Sequence, residues 1–116
     1  AVVRTFVPKE QVVSYLSGCT ATAQLLVTNN SGTSGGVRQC LAARRPLVAF
    51  RSRQTRDLED EAAIHWLDDG SPQGVAEALV ALPSGGVDHG IVRIAARDSW
   101  AEQAKVYSAI LRNLLT

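Results

Sequence analysis

Short apolar runs alternating with helix-period segments constrain the fold of this chain more than any other feature. Leu47-Val48-Ala49-Phe50 reads as a strand buried on both faces, and Gln24-Leu25-Leu26-Val27-Thr28 carries the same signature in a tract too short for a helix. Val2, Val3, Phe6 and Val7 form a further β-rich run, stopped by Pro8, whose fixed φ suits the first turn of a helix. That helix is expected through Tyr15 and Leu16, with Val12, Val13 and Leu16 facing inward and Gly18 ending it. Val37, Cys40, Leu41 and Arg44 recur at i, i+3, i+4 and i+7, which predicts a second helix with Arg44 as its snorkelling end, closed before Pro46. The order is βαβαβ. Strands joined this way run parallel through right-handed crossovers, so the expected fold is α/β, a Rossmann-like three-layer sandwich around a parallel sheet, followed by C-terminal helices.

In the second half, Ala63 to Leu67 reads as a short edge strand among helices. Val75, Ala78, Leu79 and Leu82 form one apolar stripe, and Val87, Ile91, Ile94 and Ala95 another. The last helix aligns Trp100, Ala104, Tyr107, Leu111 and Leu114 on one side, a stripe that reads as core or interdomain packing. Pro83-Ser84-Gly85-Gly86 breaks a helix without marking a domain boundary.

A length of 116 residues suits one domain, and 46% hydrophobic with 20% charged residues suits a globular one. The net charge of +1 provides no excess for a phosphate backbone, so neither nucleic acid nor an anionic membrane surface is an expected partner. The uncharged stretch from Gln11 to Val37 is too rich in Gly, Ser, Thr, Asn and Gln to span a membrane. Cys19 and Cys40 are too few and too far apart for a structural zinc site and read as reduced, semi-buried thiols, which suggests a cytoplasmic protein with no metal. His65 and His89 have no nearby triad or metal-ligand arrangement, and Asp68-Asp69-Gly70 reads as a turn.

Chemistry is most legible in Asn29-Asn30-Ser31-Gly32-Thr33-Ser34-Gly35-Gly36, between an expected strand end and an expected helix start. At that edge of a parallel sheet, glycines permit close backbone approach, and the first helical N–H groups favour an anion. The loop fits a phosphate cradle and a plain N-capping turn equally well. It is neither a P-loop nor a G-x-G-x-x-G fingerprint. Arg51 and Arg53, with Arg56, follow the Leu47–Phe50 strand at the same edge, as possible contacts to a phosphate or to another domain. The acidic run Asp57, Glu59, Asp60 and Glu61 offers them local pairing on a solvated loop.

Ser34-Gly35-Gly36-Val37-Arg38-Gln39-Cys40-Leu41-Ala42-Ala43-Arg44-Arg45-Pro46-Leu47-Val48-Ala49 resembles the donor-binding segment of GT-B-type, family-four-like glycosyltransferases. Arg44-Arg45-Pro46 stands at that family's Gly-Arg-Pro-like turn. Pro8-Lys9-Glu10, Ala63 to Gly70, Val75 to Leu82, and Ser99-Trp100 with Tyr107 resemble further family segments in the same order. The resemblance implies the donor half of an enzyme that transfers a sugar from a nucleotide-sugar to an acceptor, with retention and without an obligatory metal or other cofactor. Asn30, Ser31, Gly32, Thr33, Ser34, Gly35, Gly36 and Val37 would then hold the donor through backbone N–H and hydroxyl groups, and Gln39 would contact ribose.

Two departures qualify what is implied. The family's paired glutamates align with Ser31 and Gln39, and nothing here matches its pyrophosphate-facing Arg and Lys. No catalytic acid or base is named. Ala1 in place of a starting Met, with no Met elsewhere, adds the expectation of a fragment of a two-domain enzyme. Such a fragment would lack its N-terminal acceptor-binding domain, be inactive alone and self-associate through an exposed sheet edge. The competing reading is a non-catalytic, degenerate interaction module of the same fold.

Overall fold

Three short strands, all parallel, form the sheet at the centre of the computed structural model, which describes residues 6–25, 35–83 and 86–116. The elements run α1 (Lys9–Ser17), β1 (Thr22–Gln24), α2 (Gly35–Ala42), β2 (Leu47–Phe50), a 3₁₀ helix (Arg53–Leu58), β3 (His65–Leu67), α3 (Pro72–Val80), α4 (His89–Arg97) and α5 (Trp100–Leu115). Strand order is β1-β2-β3, with Thr22 opposite Leu47 and Val48 opposite His65. The protein is therefore α/β with a parallel sheet and C-terminal helices, in a Rossmann-like layout.

The central strand explains why the sheet is parallel. Leu47, Val48 and Ala49 are fully buried, so both faces of β2 need covering, which crossover helices supply. Val37, Cys40 and Leu41 of α2 meet Leu47, Ala49, Leu58, Ile64, Ile91 and Ile94 in one core. Leu16 and the half-buried Val12 and Val13 form the inner side of α1. Arg45 donates from Nε to the Ser17 carbonyl at 2.9 Å and ties the end of α1 to the turn before β2.

Several local expectations shift. The strand expected over Gln24 to Thr28 begins earlier, at Thr22, because the Thr22 N–H bonds to the Pro46 carbonyl and sets the register there. Leu25 is exposed and follows the strand, and residues 26–28 lie outside the described set. Of the first β-rich run, Phe6 and Val7 are in no strand and Phe6 is exposed, while residues 2–5 lie outside the described set. The edge strand is confined to His65–Leu67, since Ala63 and Ile64 belong to the preceding turn.

Arg44 is not the snorkelling end of α2. The helix stops at Ala42, and Arg44 takes φ 64°, the left-handed turn that releases the chain toward Pro46. Its carbonyl accepts the Asp88 N–H at 2.9 Å, which fixes the start of α4. Cys19 is exposed rather than semi-buried because it lies in the turn after α1, whereas Cys40 is buried. Burial pushes the Cys40 thiol up, partly offset by the Thr22 hydroxyl.

Candidate functional site

The carboxyl edge of the sheet is where the chain brings its chemistry-bearing backbone together. At the end of β1 the Gln24 amide lies against Gly36, in the first turn of α2, so closely that a Cβ there would sit 3.0 Å from Gln24 Nε2. Absence of a side chain at Gly36 is what lets Gln24 and the start of α2 meet. Gly35 is exposed beside it, and no atom of the described residues lies within 4 Å of where its Cβ would be. The positive end of the α2 dipole faces this edge.

The other two strands contribute turns. The Phe50 ring, at the end of β2, packs on Gly70 after β3, 3.3 Å from where a Cβ would stand. Ser52 and Thr55 close a reciprocal capping box on the 3₁₀ helix: Ser52 Oγ accepts the Gln54 N–H and Thr55 Oγ1 accepts the Ser52 N–H. After β3 the chain bends at Asp68, with no hydrogen-bonded backbone turn over Asp68-Asp69-Gly70. Asp69 accepts the Ser71 N–H at 2.8 Å, a bond that holds its carboxyl below the usual carboxylate range, and Ser71 in turn caps α3 through the Gly74 N–H.

Of the residues singled out in the sequence, Gly35, Gly36, Val37 and Gln39 are brought together on the first turns of α2. Val37 directs its side chain into the core, and Gln39 is half-buried one turn along. Asn30, Ser31, Gly32, Thr33 and Ser34 lie outside the described residues. Arg51 is exposed, but its guanidinium stacks over the Trp66 ring at 4.9 Å from the centroid, and Trp66 Nε1 donates to the Glu61 carbonyl. Arg53 is exposed and has no ion-pair partner among the described residues.

Among the described residues the acidic run makes no ion pair with Arg51, Arg53 or Arg56, and its one contact with them is the Glu59 main-chain carbonyl, which accepts from Arg51 Nη2 at 3.5 Å. Asp57 instead binds Arg38 of α2, and Glu61 binds Arg97 of α4. Asp98 joins the two arginines: its Oδ2 accepts from Arg38 at 2.7 Å, and its Oδ1 accepts from Arg97 Nε at 2.9 Å. This network clasps α2, the 3₁₀ helix and the end of α4 beside the start of α2. Sequence reasoning missed it because its members stand 19, 36 and 60 residues apart and no periodicity connects them.

Hydrogen bonds from Arg97 first, with Arg38 adding to them, hold the Asp98 carboxyl below its usual range against the opposing effect of burial. A carboxylate depressed in the folded state contributes stability above its unfolded value, and that stability is lost as pH falls through the folded one. Asp98→Asn is therefore expected to cost about 1 kcal/mol near neutral pH, a modest figure because the arginines are partly solvated. Near pH 3, at or below the ordinary carboxylate range, the difference from the parent should shrink. Urea unfolding across pH checks this, and parallel profiles for variant and parent would contradict it.

Beside the network an open groove of about 680 Å³ runs between Arg38 and α5, lined also by Trp100, Gln103 and Tyr107. His65 and His89 are exposed and belong to no cluster, and no group of His, Cys, Asp or Glu suited to a metal occurs among the described residues. Among the same residues no helix is long and apolar enough to cross a membrane. The chain matches no protein-family model, no curated protein and no solved structure.

Proposed function

We propose that this chain is the donor-binding part of a glycosyltransferase, holding a nucleotide-sugar at the carboxyl edge of its sheet. The observation that carries the reading is the start of α2. There an exposed Gly35 and a side-chain-free Gly36 open a helix N-terminus at the end of β1, a geometry suited to a phosphate. The resemblance of residues 34–49 to a nucleotide-sugar segment supports the choice of ligand. The α2 N-terminus would stabilise the departing nucleotide diphosphate electrostatically, with Gln39 toward ribose, and no acid or base from this chain is assigned.

Titration followed by amide NMR tests the reading. Common nucleotide-sugars should shift the amides of Gly35, Gly36, Val37 and Gln39. Gly36→Ala should weaken that response several-fold while the fold persists, because the atom it meets is the end of the flexible Gln24 side chain. No shift with any donor at about 1 mM, or an equal response to inorganic phosphate alone, would sink the sugar-donor reading. One observation favours a second reading, a non-catalytic interaction module: Arg38, the cation nearest the α2 N-terminus in sequence, is committed to Asp57 and Asp98.

A further inference from the structure

The C-terminal helix leaves an apolar side exposed, its first half bordering the groove that Arg38, Asp57, Arg97 and Asp98 line from the body. Trp100 is 92% exposed, Tyr107 65%, Leu111 58% and Leu114 76%. These residues and Ala104 follow steps of four, three, four and three, the spacing of a coiled-coil seam. At 100° per residue, Ile110, Gln103, Leu114, Tyr107, Trp100, Leu111, Ala104 and Leu115 occupy an arc of roughly 140° without a charge. Glu102, Lys105 and Arg112 all lie at least about 140° around the helix from Tyr107.

Such a helix is poorly supported alone. Its principal packing partner in the body is α4, and it contributes no buried residue. At 16 residues it is barely longer than the roughly 15 below which isolated helices are marginal in water, and most helical stability comes from packing of an apolar face. The protein is also elongated, 56 × 28 × 27 Å with a radius of gyration of 15.9 Å, where a compact chain of this length would have about 13 Å.

We infer that the occupant of this face is the α5 of a second copy of the chain, packed antiparallel about a two-fold axis at Tyr107. The apolar side chains of this arc present on the order of 900 Å² of accessible surface, of the same order as the roughly 800 Å² per partner that a stable interface buries. The face is also self-complementary, as a two-fold interface requires. Trp100 and Leu114 stand seven residues either side of Tyr107, so Trp100 lies opposite the partner's Leu114. Antiparallel packing sets the helix dipoles head to tail.

Sedimentation of the full chain between about 1 µM and about 1 mM should show a monomer–dimer equilibrium. Leu111→Asp should weaken association at least about a hundredfold, because it places an unpaired carboxylate in the seam. Arg112→Glu, on the opposite side, should leave it unchanged. Thermal unfolding of the body is monitored separately from α5 helicity, so that loss of the dimer is not confused with loss of the fold. In a Cys19→Ser background, mild oxidation should link Tyr107→Cys chains into dimers and leave Lys105→Cys chains unlinked. A chain that stays monomeric throughout the range, or a dimer indifferent to Leu111→Asp, as association through the β1 edge would be, overturns the inference. So does a dimer that links through Lys105→Cys.

Discussion

Replacing Ile91 with Ala is expected to remove about 3 kcal/mol of folding stability, a large share of what a domain of this size possesses. Ile91 is fully buried where α4 meets α2 and the sheet, among Val37, Leu41, Leu47 and Leu58. Its loss removes apolar burial and leaves a cavity that flanking strands and helices cannot close without moving together. Val92, next along α4 and only half-buried, provides the contrast: Val92→Ala should cost about 1 kcal/mol or less. Urea unfolding at neutral pH measures both, and the Ile91 variant should also melt about 10 °C lower. Equal effects at the two positions would mean that α4 presents a different side to the core.

Gly90→Ala is expected to destabilise by about 1 to 2 kcal/mol, although alanine is the better helix former. A Cβ at Gly90 would come within 2.7 Å of the Ala63 Cβ, an atom with no rotamer to escape into, and 3.2 Å of Asp88 Oδ1. Asp88 caps α4 through the Ile91 N–H at 3.1 Å, so the clash falls on the turn that aims Ile91 into the core. A second change, Ala63→Gly, should restore much of the loss by removing the opposing methyl. That pairing makes the test specific: a neutral Gly90→Ala, or one that Ala63→Gly does not relieve, would show that α4 and the turn before β3 are not in close contact.

The fold class was legible in the chain because burial on both faces leaves an unambiguous mark. Leu47 to Phe50 has no polar residue to offer solvent, and the spacing of Val37, Cys40 and Leu41 fits only a helix laid over it. Boundaries were less legible. The start of β1 depends on the Thr22–Pro46 hydrogen bond, and the end of α2 on the left-handed Arg44, neither of which has a local sequence signature. Glycine would be the expected residue at such a φ, so Arg44 conceals the turn it makes.

The candidate site divides in the same way. The glycines of the loop allowed a close backbone approach as readily as a plain capping turn, and the structure shows that approach at Gly36, against the Gln24 amide. The commitment of Arg38 to Asp57 and Asp98, and of Arg51 to the Trp66 ring, followed no pattern in the chain. Local charge pairing was the natural expectation for the acidic run, yet Asp57 reaches instead to α2 and Glu61 to α4.

By itself, then, the amino-acid sequence determined the parallel α/β architecture, the inner faces of α1, α2 and α4, and the glycine-opened start of α2. Each is written in short-range periodicity and backbone preference, which depend on neighbours a few residues away. Tertiary structure alone decided which charges meet, why Gly90 is confined by Ala63, and that the Trp100-to-Leu114 stripe is left uncovered by the body. Those outcomes depend on how separate elements dock. An apolar stripe reads the same in sequence whether its own core or a second molecule buries it.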